Sequence, residues 1–267
     1  MASKAALVQT SRGRTVNDDS YQTEILEVVQ SATNYRKWLA QLTFPYLGKN
    51  PVEIGSGLGD YALEWLDLGA EHLTLSESSS GRLALLLKRF DSNSNVLVEQ
   101  LEMERLGEFG PEKFSCVVSL NVIEHISDDR VAFASAFRAL EPGGYVVAFA
   151  PASPMLMSKF DRDVGHCRRY TKRSARALLE GAGFTRVKVT YVNSLGWLAW
   201  FLGMKVCRLR PSDGLILRAW DRLIIPIMRM IEGWVSPPFG QSVLIVGQKV
   251  TNVNAISVNG NSEMLLP

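Results

Sequence analysis

Three glycines at alternate positions, Gly55, Gly57 and Gly59, stand in the stretch Val52-Glu-Ile-Gly-Ser-Gly-Leu-Gly-Asp-Tyr61, and a carboxylate, Glu77, closes the later run Leu73-Thr-Leu-Ser-Glu77. The pattern reads as a buried strand, a glycine-rich turn, a helix, a second strand and an acidic terminus. Glycines at a strand end let the backbone approach a ligand closely. A carboxylate ending the next strand is placed to accept hydrogen bonds from the two hydroxyls of a ribose. A nucleoside-containing ligand is the chemistry these residues fit.

The spacing narrows the choice. A dinucleotide turn is G-x-G-x-x-G, with the third glycine allowing close packing of helix on strand beneath a pyrophosphate. Here the pattern is G-x-G-x-G, Glu53 precedes it, and Asp60 follows it. Two acidic residues around the loop disfavour a pyrophosphate and favour a cation. The G-K-[ST] of a phosphate loop is absent.

These residues need a scaffold. Helical spacing runs through residues 22–47 (Ile25, Val28, Val29, Tyr35, Trp38, Leu39, Leu42) and stops at Pro45 and Gly48. Strands are expected at 51–54, 72–76, 95–100, 114–120 and 145–150, with helices at 60–68, 81–90 and 128–140 between them. The nearly all-apolar 114–120 suits a strand covered on both faces. Alternation of strand and helix predicts a parallel, doubly wound α/β sheet. Residues 151–171 form a long polar connection, the kind of loop that often carries function. A helix at 172–182, a strand at 186–191, apolar helical segments near 195–209 and 213–235, and a last strand at 242–249 complete the order.

On these motifs the chain resembles the class I S-adenosylmethionine-dependent methyltransferases over roughly residues 21–249. The glycine loop with its acidic neighbour is joined by Phe114-Ser-Cys-Val-Val-Ser-Leu-Asn-Val-Ile-Glu-His-Ile126, by Leu140-Glu-Pro-Gly-Gly-Tyr-Val-Val147, and by Gly165-His-Cys-Arg-Arg-Tyr-Thr171. Ser115 departs from the pattern, which commonly has an acidic residue there. The resemblance implies a Rossmann-like seven-stranded sheet in the order 3-2-1-4-5-7-6, with a helical cap at about 192–236 beside the acceptor site. It implies S-adenosyl-L-methionine as cofactor, bound by Tyr35, Glu53, Gly55, Gly57, Glu77, Asn121 and, against the adenine, Leu101 or Glu102. Glu53 would meet the methionine ammonium. Tyr35 would be an aromatic lid favoured by a cation–π term, with core packing as its alternative. Asn121 would hold the methionine end, with turn formation as its alternative.

Catalytic candidates are His125, His166 and Tyr170. An imidazole takes a proton near neutral pH, and His166 lies among Asp161, Asp163, Arg168, Arg169 and Tyr170. That density of ionisable groups suits reading a polar acceptor, with a helix-capping ion-pair cluster as the alternative for Arg168 and Arg169. No metal site is expected, because Glu124 and His125 are adjacent and no second cluster has ligand spacing.

The acceptor is read from the cap. Trp197, Trp200, Phe201, Met204, Trp220, Ile224, Ile225, Ile227, Met228, Met230 and Trp234 are rich in aromatic and sulfur-bearing side chains. They suit a small hydrophobic or aromatic acceptor of natural-product type, such as an indole, phenol or polyketide. Arg218, Arg222 and Arg229, with Lys205, Arg208 and Arg210, interleave that apolar surface, so peripheral membrane contact and a lipid-linked acceptor form a second reading.

The 267 residues carry a net charge of +2 and 46% apolar residues, enough for a large core and too little charge to argue for nucleic acid. Cys116, Cys167 and Cys207 form no C-x-x-C, which suits a reducing compartment. Met1-Ala-Ser-Lys4 lacks the apolar core of a signal peptide, and a cytoplasmic location is expected. Residues 1–20 and 251–267 are polar and expected to be flexible tails.

Overall fold

The computed structural model describes residues 31–202 and 214–250. The two expected tails, the first part of the N-terminal helical pattern, and Met204, Lys205, Arg208 and Arg210 lie outside them.

Seven strands form one sheet: β1 (Pro51–Ile54), β2 (Leu73–Ser76), β3 (Val96–Glu99), β4 (Phe114–Leu120), β5 (Leu140–Pro151), β6 (Thr185–Val192) and β7 (Ser242–Gln248). Their order is 3-2-1-4-5-7-6, as the resemblance implied. β1 pairs in parallel with β2 and β4, and β7 runs antiparallel to both β5 and β6. Every residue of β1 and β4 is buried, because helices cover both faces of a parallel sheet.

The pleat divides the core with period two. Val52, Val117, Val146, Ala148 and Ile245 face α4 (Asp129–Ala139) and α6 (Lys172–Gly181). Leu75, Val118, Val147, Phe149 and Val246 face the other side. There they meet α1 (Thr33–Thr43), α2 (Asp60–Asp67) and α3 (Ser80–Phe90). Trp65 anchors this layer, fully buried with its indole N–H donated to the Thr43 hydroxyl at 3.0 Å.

Two regions differ from the sequence reading. β5 begins at Leu140, so Pro142-Gly143-Gly144 falls inside the strand at a register shift. The Gly143 N–H donates to the Lys249 carbonyl and Lys249 returns one to Gly144, so the glycines extend the sheet ahead of the strand expected at 145–150. The connection 151–171 is also not an open loop. It holds a 3-10 turn at Pro154–Leu156 and α5 (Lys159–Asp163), and Ala152 bridges Tyr170 in parallel. Ser115, the departure in β4, accepts the Asn50 N–H and donates to the Leu47 carbonyl, fixing the chain that enters β1.

Between β6 and β7 lie α7 (Ser194–Trp200) and α8 (Gly214–Trp234). α8 is pinned to α1 through Asp221, whose carboxylate accepts the Asn34 and Tyr35 backbone N–H groups at 2.9 and 2.8 Å. No helix among the described residues is long and apolar enough to cross a membrane.

Candidate active site

The glycine turn sits at the C-terminal end of β1, the crevice where open α/β sheets receive ligands. Gly55 and Gly59 have φ of +70° and +77°. A Cβ on Gly55 would come within 2.6 Å of Val122, and one on Gly59 would strike the Phe90 ring. The turn is thus tight on the protein side, and only glycine fits both backbone and space. Asp60, in the place of a dinucleotide fingerprint's third glycine, is paired with Arg89 at 2.8 Å.

Glu53 lies beneath this turn, buried, with Oε2 lacking any hydrogen-bond partner. Burial pushes its carboxyl up to about 8, with Asp60 and Glu77 adding to the shift against a Ser56 hydrogen bond. An unpaired buried carboxylate is costly, and a cationic group arriving there would satisfy it. Glu77 is buried at the end of β2. It accepts the Gly57 N–H at 3.0 Å, the Ser79 N–H at 2.9 Å and the Arg82 guanidinium at 2.9 Å. Two carboxylate oxygens offer about four acceptor sites, so capacity remains for one hydroxyl contact.

The other expected cofactor residues surround the same strand ends. Asn121 follows β4, exposed, in the left-handed region at φ +56°, its N–H donated to the Phe149 carbonyl. Leu101 is buried and Glu102 exposed after β3. Tyr35 packs edge-on against Trp38 and Phe149. Burial pushes its hydroxyl up to about 12, against hydrogen bonds from Ser242 and Asn193. Its ring therefore has a packing role within the α1 layer. The orphaned Glu53 oxygen, the crowded glycine turn and the poised Glu77 fit an adenosyl ligand carrying an ammonium.

The second centre is assembled by the 151–171 connection. Each residue of its His-Cys-Arg-Arg-Tyr run makes a specific bond. The Cys167 N–H donates to the Glu124 carbonyl, clamping the segment to the turn after β4. Arg168 bonds the Ser127 carbonyl and pairs with Asp129 at 2.6 Å. Arg169 pairs with Asp161 at 2.7 Å, both buried, and donates to the Ala152 carbonyl. Tyr170 is buried, its one hydroxyl proton shared between Asp129 at 2.9 Å and the Ile123 carbonyl at 3.2 Å. The arginines and Tyr170 thus work as internal struts.

The struts bring His125 and His166 together, ring centroids 4.8 Å apart and edge to face. His166 Nδ1 lies 3.0 Å from Asp161 Oδ1, and its Nε2 lies 3.8 Å from Glu124 Oε1. Burial alone would raise the Asp161 carboxyl, but hydrogen bonds from His166 and Ser158, with Arg169, outweigh it and hold it well below the usual carboxylate range. Burial and neighbouring His166 push the His125 imidazole down to about 4. Glu124 is fully buried, with neither carboxylate oxygen hydrogen-bonded; burial pushes it up to about 8. Glu124, His125 and His166 place one ligand atom each within 4.8 Å of one another. Sequence reasoning missed this group because His166 reaches the adjacent Glu124–His125 pair only through the fold.

Comparison with known proteins agrees with this geometry. Residues 52–148 match the family described as a methyltransferase domain. A ubiquinone biosynthesis O-methyltransferase of Pseudomonas fluorescens is 29% identical over 99 residues, 37% of this chain and 43% of that protein. Phosphoethanolamine N-methyltransferase 2 of Caenorhabditis elegans is 31% identical over 101 residues, 38% of this chain and 23% of that protein. The chain thus spans less than half the length of these relatives. Among solved structures, a Thermotoga maritima SAM-dependent methyltransferase, described as a possible histamine N-methyltransferase, superposes with a TM-score of 0.56. It is 19% identical, over 86% of this chain and 96% of that one. Haemonchus contortus phosphoethanolamine N-methyltransferase 2, solved with S-adenosyl-L-methionine, has a TM-score of 0.57 at 19% identity, over 80% of this chain and 52% of that one. These two likenesses concern the fold.

Proposed function

We infer that this chain, a class I S-adenosylmethionine-dependent methyltransferase by its 52–148 domain and sheet order, transfers a methyl group to an apolar acceptor bearing an O–H or N–H group. The observation that carries the reading is the unpartnered carboxylate oxygen of Glu53 under a glycine turn with no room for a side chain. S-adenosylmethionine, when bound, supplies an electrophilic methyl carbon. Glu53 would hold its ammonium, Glu77 one of its ribose hydroxyls, and the Gly55–Gly59 backbone its length.

The chain's own work is then alignment and proton handling. Alignment of a nucleophile with a reactive carbon can contribute about 7–11 kcal/mol. The Glu124–His125–His166 centre, where the 151–171 connection meets the turn that follows β4, takes up the proton-bearing end of the acceptor. Asp161 orients His166, as a carboxylate does in other imidazole-based sites. Tyr170, expected among the catalytic residues, is assigned instead to holding α4 against the connection.

The acceptor's apolar part is assigned to the aromatic surface near α7. Trp197 stacks on Phe201 at 5.5 Å, and Trp200 lies over the Arg169 guanidinium at 5.1 Å and edge-on to Phe160. Calorimetry with S-adenosylmethionine and its demethylated product tests the cofactor. Labelled cofactor with a panel of phenols, indoles, polyketides and amines, read by mass spectrometry, tests the acceptor. No heat with either cofactor form removes the reading.

A second reading, a lipid-linked acceptor at a membrane surface, is favoured by one observation. Leu223, Ile227, Met230, Ile231 and Trp234 are exposed along one face of α8, away from buried Asp221, Ile225 and Met228. Exposed Arg218, Arg222 and Arg229 flank that stripe on one side. A groove of about 400 Å³ opens beside it, lined by Asn34, Ile225, Arg229 and Trp234 among others. An apolar stripe edged by cations suits the interface of an anionic bilayer.

A further inference from the structure

We propose that Glu124, His125 and His166 form a binding site for a divalent transition-metal cation. The first observation is Glu124 itself. Its side chain is wholly enclosed and neither oxygen has a hydrogen-bond donor. Burying an unpaired carboxylate costs several kcal/mol, and a proton would still leave the resulting hydroxyl and carbonyl without partners. A cation satisfies both oxygens at once.

The second observation is the posture of His166. With Nδ1 turned to Asp161, the neutral ring presents the Nε2 lone pair toward Glu124 Oε1 at 3.8 Å. Two acceptors facing each other at that distance cannot bond directly. Ligands about 2.0–2.2 Å from a shared ion lie roughly 3–4 Å apart. The full spread of the three ligand atoms, 4.8 Å at most, closes to that range by about 1 Å of side-chain adjustment.

The surroundings match a metal site beyond the ligands. A ligating histidine commonly donates its other N–H to a carboxylate, which fixes the ring and strengthens the ligand. Asp161 fills that role, itself held by Arg169 and by the Ser158 backbone and hydroxyl at 2.7 and 2.6 Å. The Cys167 N–H bond to the Glu124 carbonyl locks the two ligand-bearing segments together.

Two imidazoles and one carboxylate favour zinc, iron(II) or cobalt over magnesium, calcium or manganese, which are suited by oxygen ligands. Three protein ligands leave a position for water or for an acceptor oxygen or nitrogen. With the ion bound, His166 Nε2 is a ligand and cannot also take a proton, so this assignment replaces a free imidazole base at that atom. Cation binding does not depend on methyl transfer and is measured without cofactor or acceptor.

The test is titration of the full chain, dialysed against a chelator, with Co²⁺ followed by visible absorption and with Zn²⁺ followed by calorimetry. One ion per chain with ligand-field bands is expected. His166→Ala and Glu124→Gln should each weaken binding by about tenfold or more, and His72→Ala should leave it unchanged. Circular dichroism checks that each variant folds, and His125→Ala stands in for any that does not. No uptake at millimolar Co²⁺ and Zn²⁺, or uptake of unchanged affinity in the ligand variants, overturns the proposal.

Discussion

The Glu77 carboxylate stands 2.9 Å from the Arg82 guanidinium while also accepting the backbone N–H groups of Gly57 and Ser79. The acid assigned to the ribose is therefore also the post that holds the glycine turn against the start of α3. Glu77→Ala should both weaken S-adenosylmethionine binding and lower stability by about 1–3 kcal/mol, since two buried N–H groups lose their acceptor. Calorimetry and thermal unfolding read the two effects separately. Undiminished affinity in a folded Glu77→Ala protein would remove Glu77 from the ribose role.

Glu53 gives a proton-linkage test. Its carboxyl is pushed up to about 8 by burial, so at pH 7 the free protein holds it mostly protonated. Pairing with a ligand ammonium requires the carboxylate, and binding should release close to one proton. Calorimetry in buffers of differing ionisation enthalpy measures that proton. Glu53→Gln should abolish the release and weaken affinity by about tenfold or more. The stability sign follows from the same shift. A raised carboxyl favours the folded state fully below the ordinary value and loses that contribution as pH rises through about 8. The ligand-free protein should melt lower at pH 9 than at pH 6, with the Glu53→Gln curve flatter.

Gly59 tests the crowding of the turn. With φ at +77° and the Phe90 ring against any added Cβ, Gly59→Ala combines backbone strain with overpacking. A loss of about 2–4 kcal/mol is expected, with weaker cofactor binding in whatever protein remains folded. Phe90→Leu should relieve part of the penalty in the double variant, as coupled neighbours do. Simple additivity of the two losses would place the clash elsewhere.

The sequence spoke clearly where the physics is local. β1 and β4 were legible at their observed bounds, Pro51–Ile54 and Phe114–Leu120, because a strand covered on both faces is largely apolar. The start of β5 was not, because Pro142-Gly143-Gly144 carries turn chemistry and Gln248 and Lys249, far along the chain, draw it into the sheet. Glu53 and Glu77 could be singled out by their places beside strand ends. Glu124 could not be recognised as an orphaned buried acid, since its burial is created by a connection some 40 residues later. Arg168 and Arg169 could be read from sequence either as a surface for a polar acceptor or as an ion-pair cluster, and only the fold brings Asp129 and Asp161 against them.

The buried Asp161–Arg169 pair is expected to hold the second centre in shape. Asp161→Ala strands an enclosed guanidinium, and breaking a buried pair from one side costs about 3–5 kcal/mol. Removing both charges, as Asp161→Ala with Arg169→Met, should recover much of that stability while leaving His166 without its Nδ1 partner. Thermal unfolding tracks the first effect. A double variant no more stable than Asp161→Ala would mean that the pair's bonds to Ser158 and Ala152 matter more than its charges.

The outward stripe of α8 separates the two acceptor readings. Trp234 is 89% exposed and Leu223 65%, an arrangement that water disfavours and a bilayer interface would accept. Co-sedimentation with anionic vesicles should be strong at low salt and fall as salt screens Arg218, Arg222 and Arg229. Ile227→Ser, Met230→Ser and Trp234→Ser together should abolish it while cofactor affinity holds, because the packed side of α8, through Asp221, Ile225 and Met228, is untouched. Vesicle binding that survives the triple change would move the contact to another surface. If the wild-type chain ignores vesicles altogether, the lipid-linked acceptor loses its support, and the aromatic surface around Trp197 and Trp200 is left as the acceptor's seat.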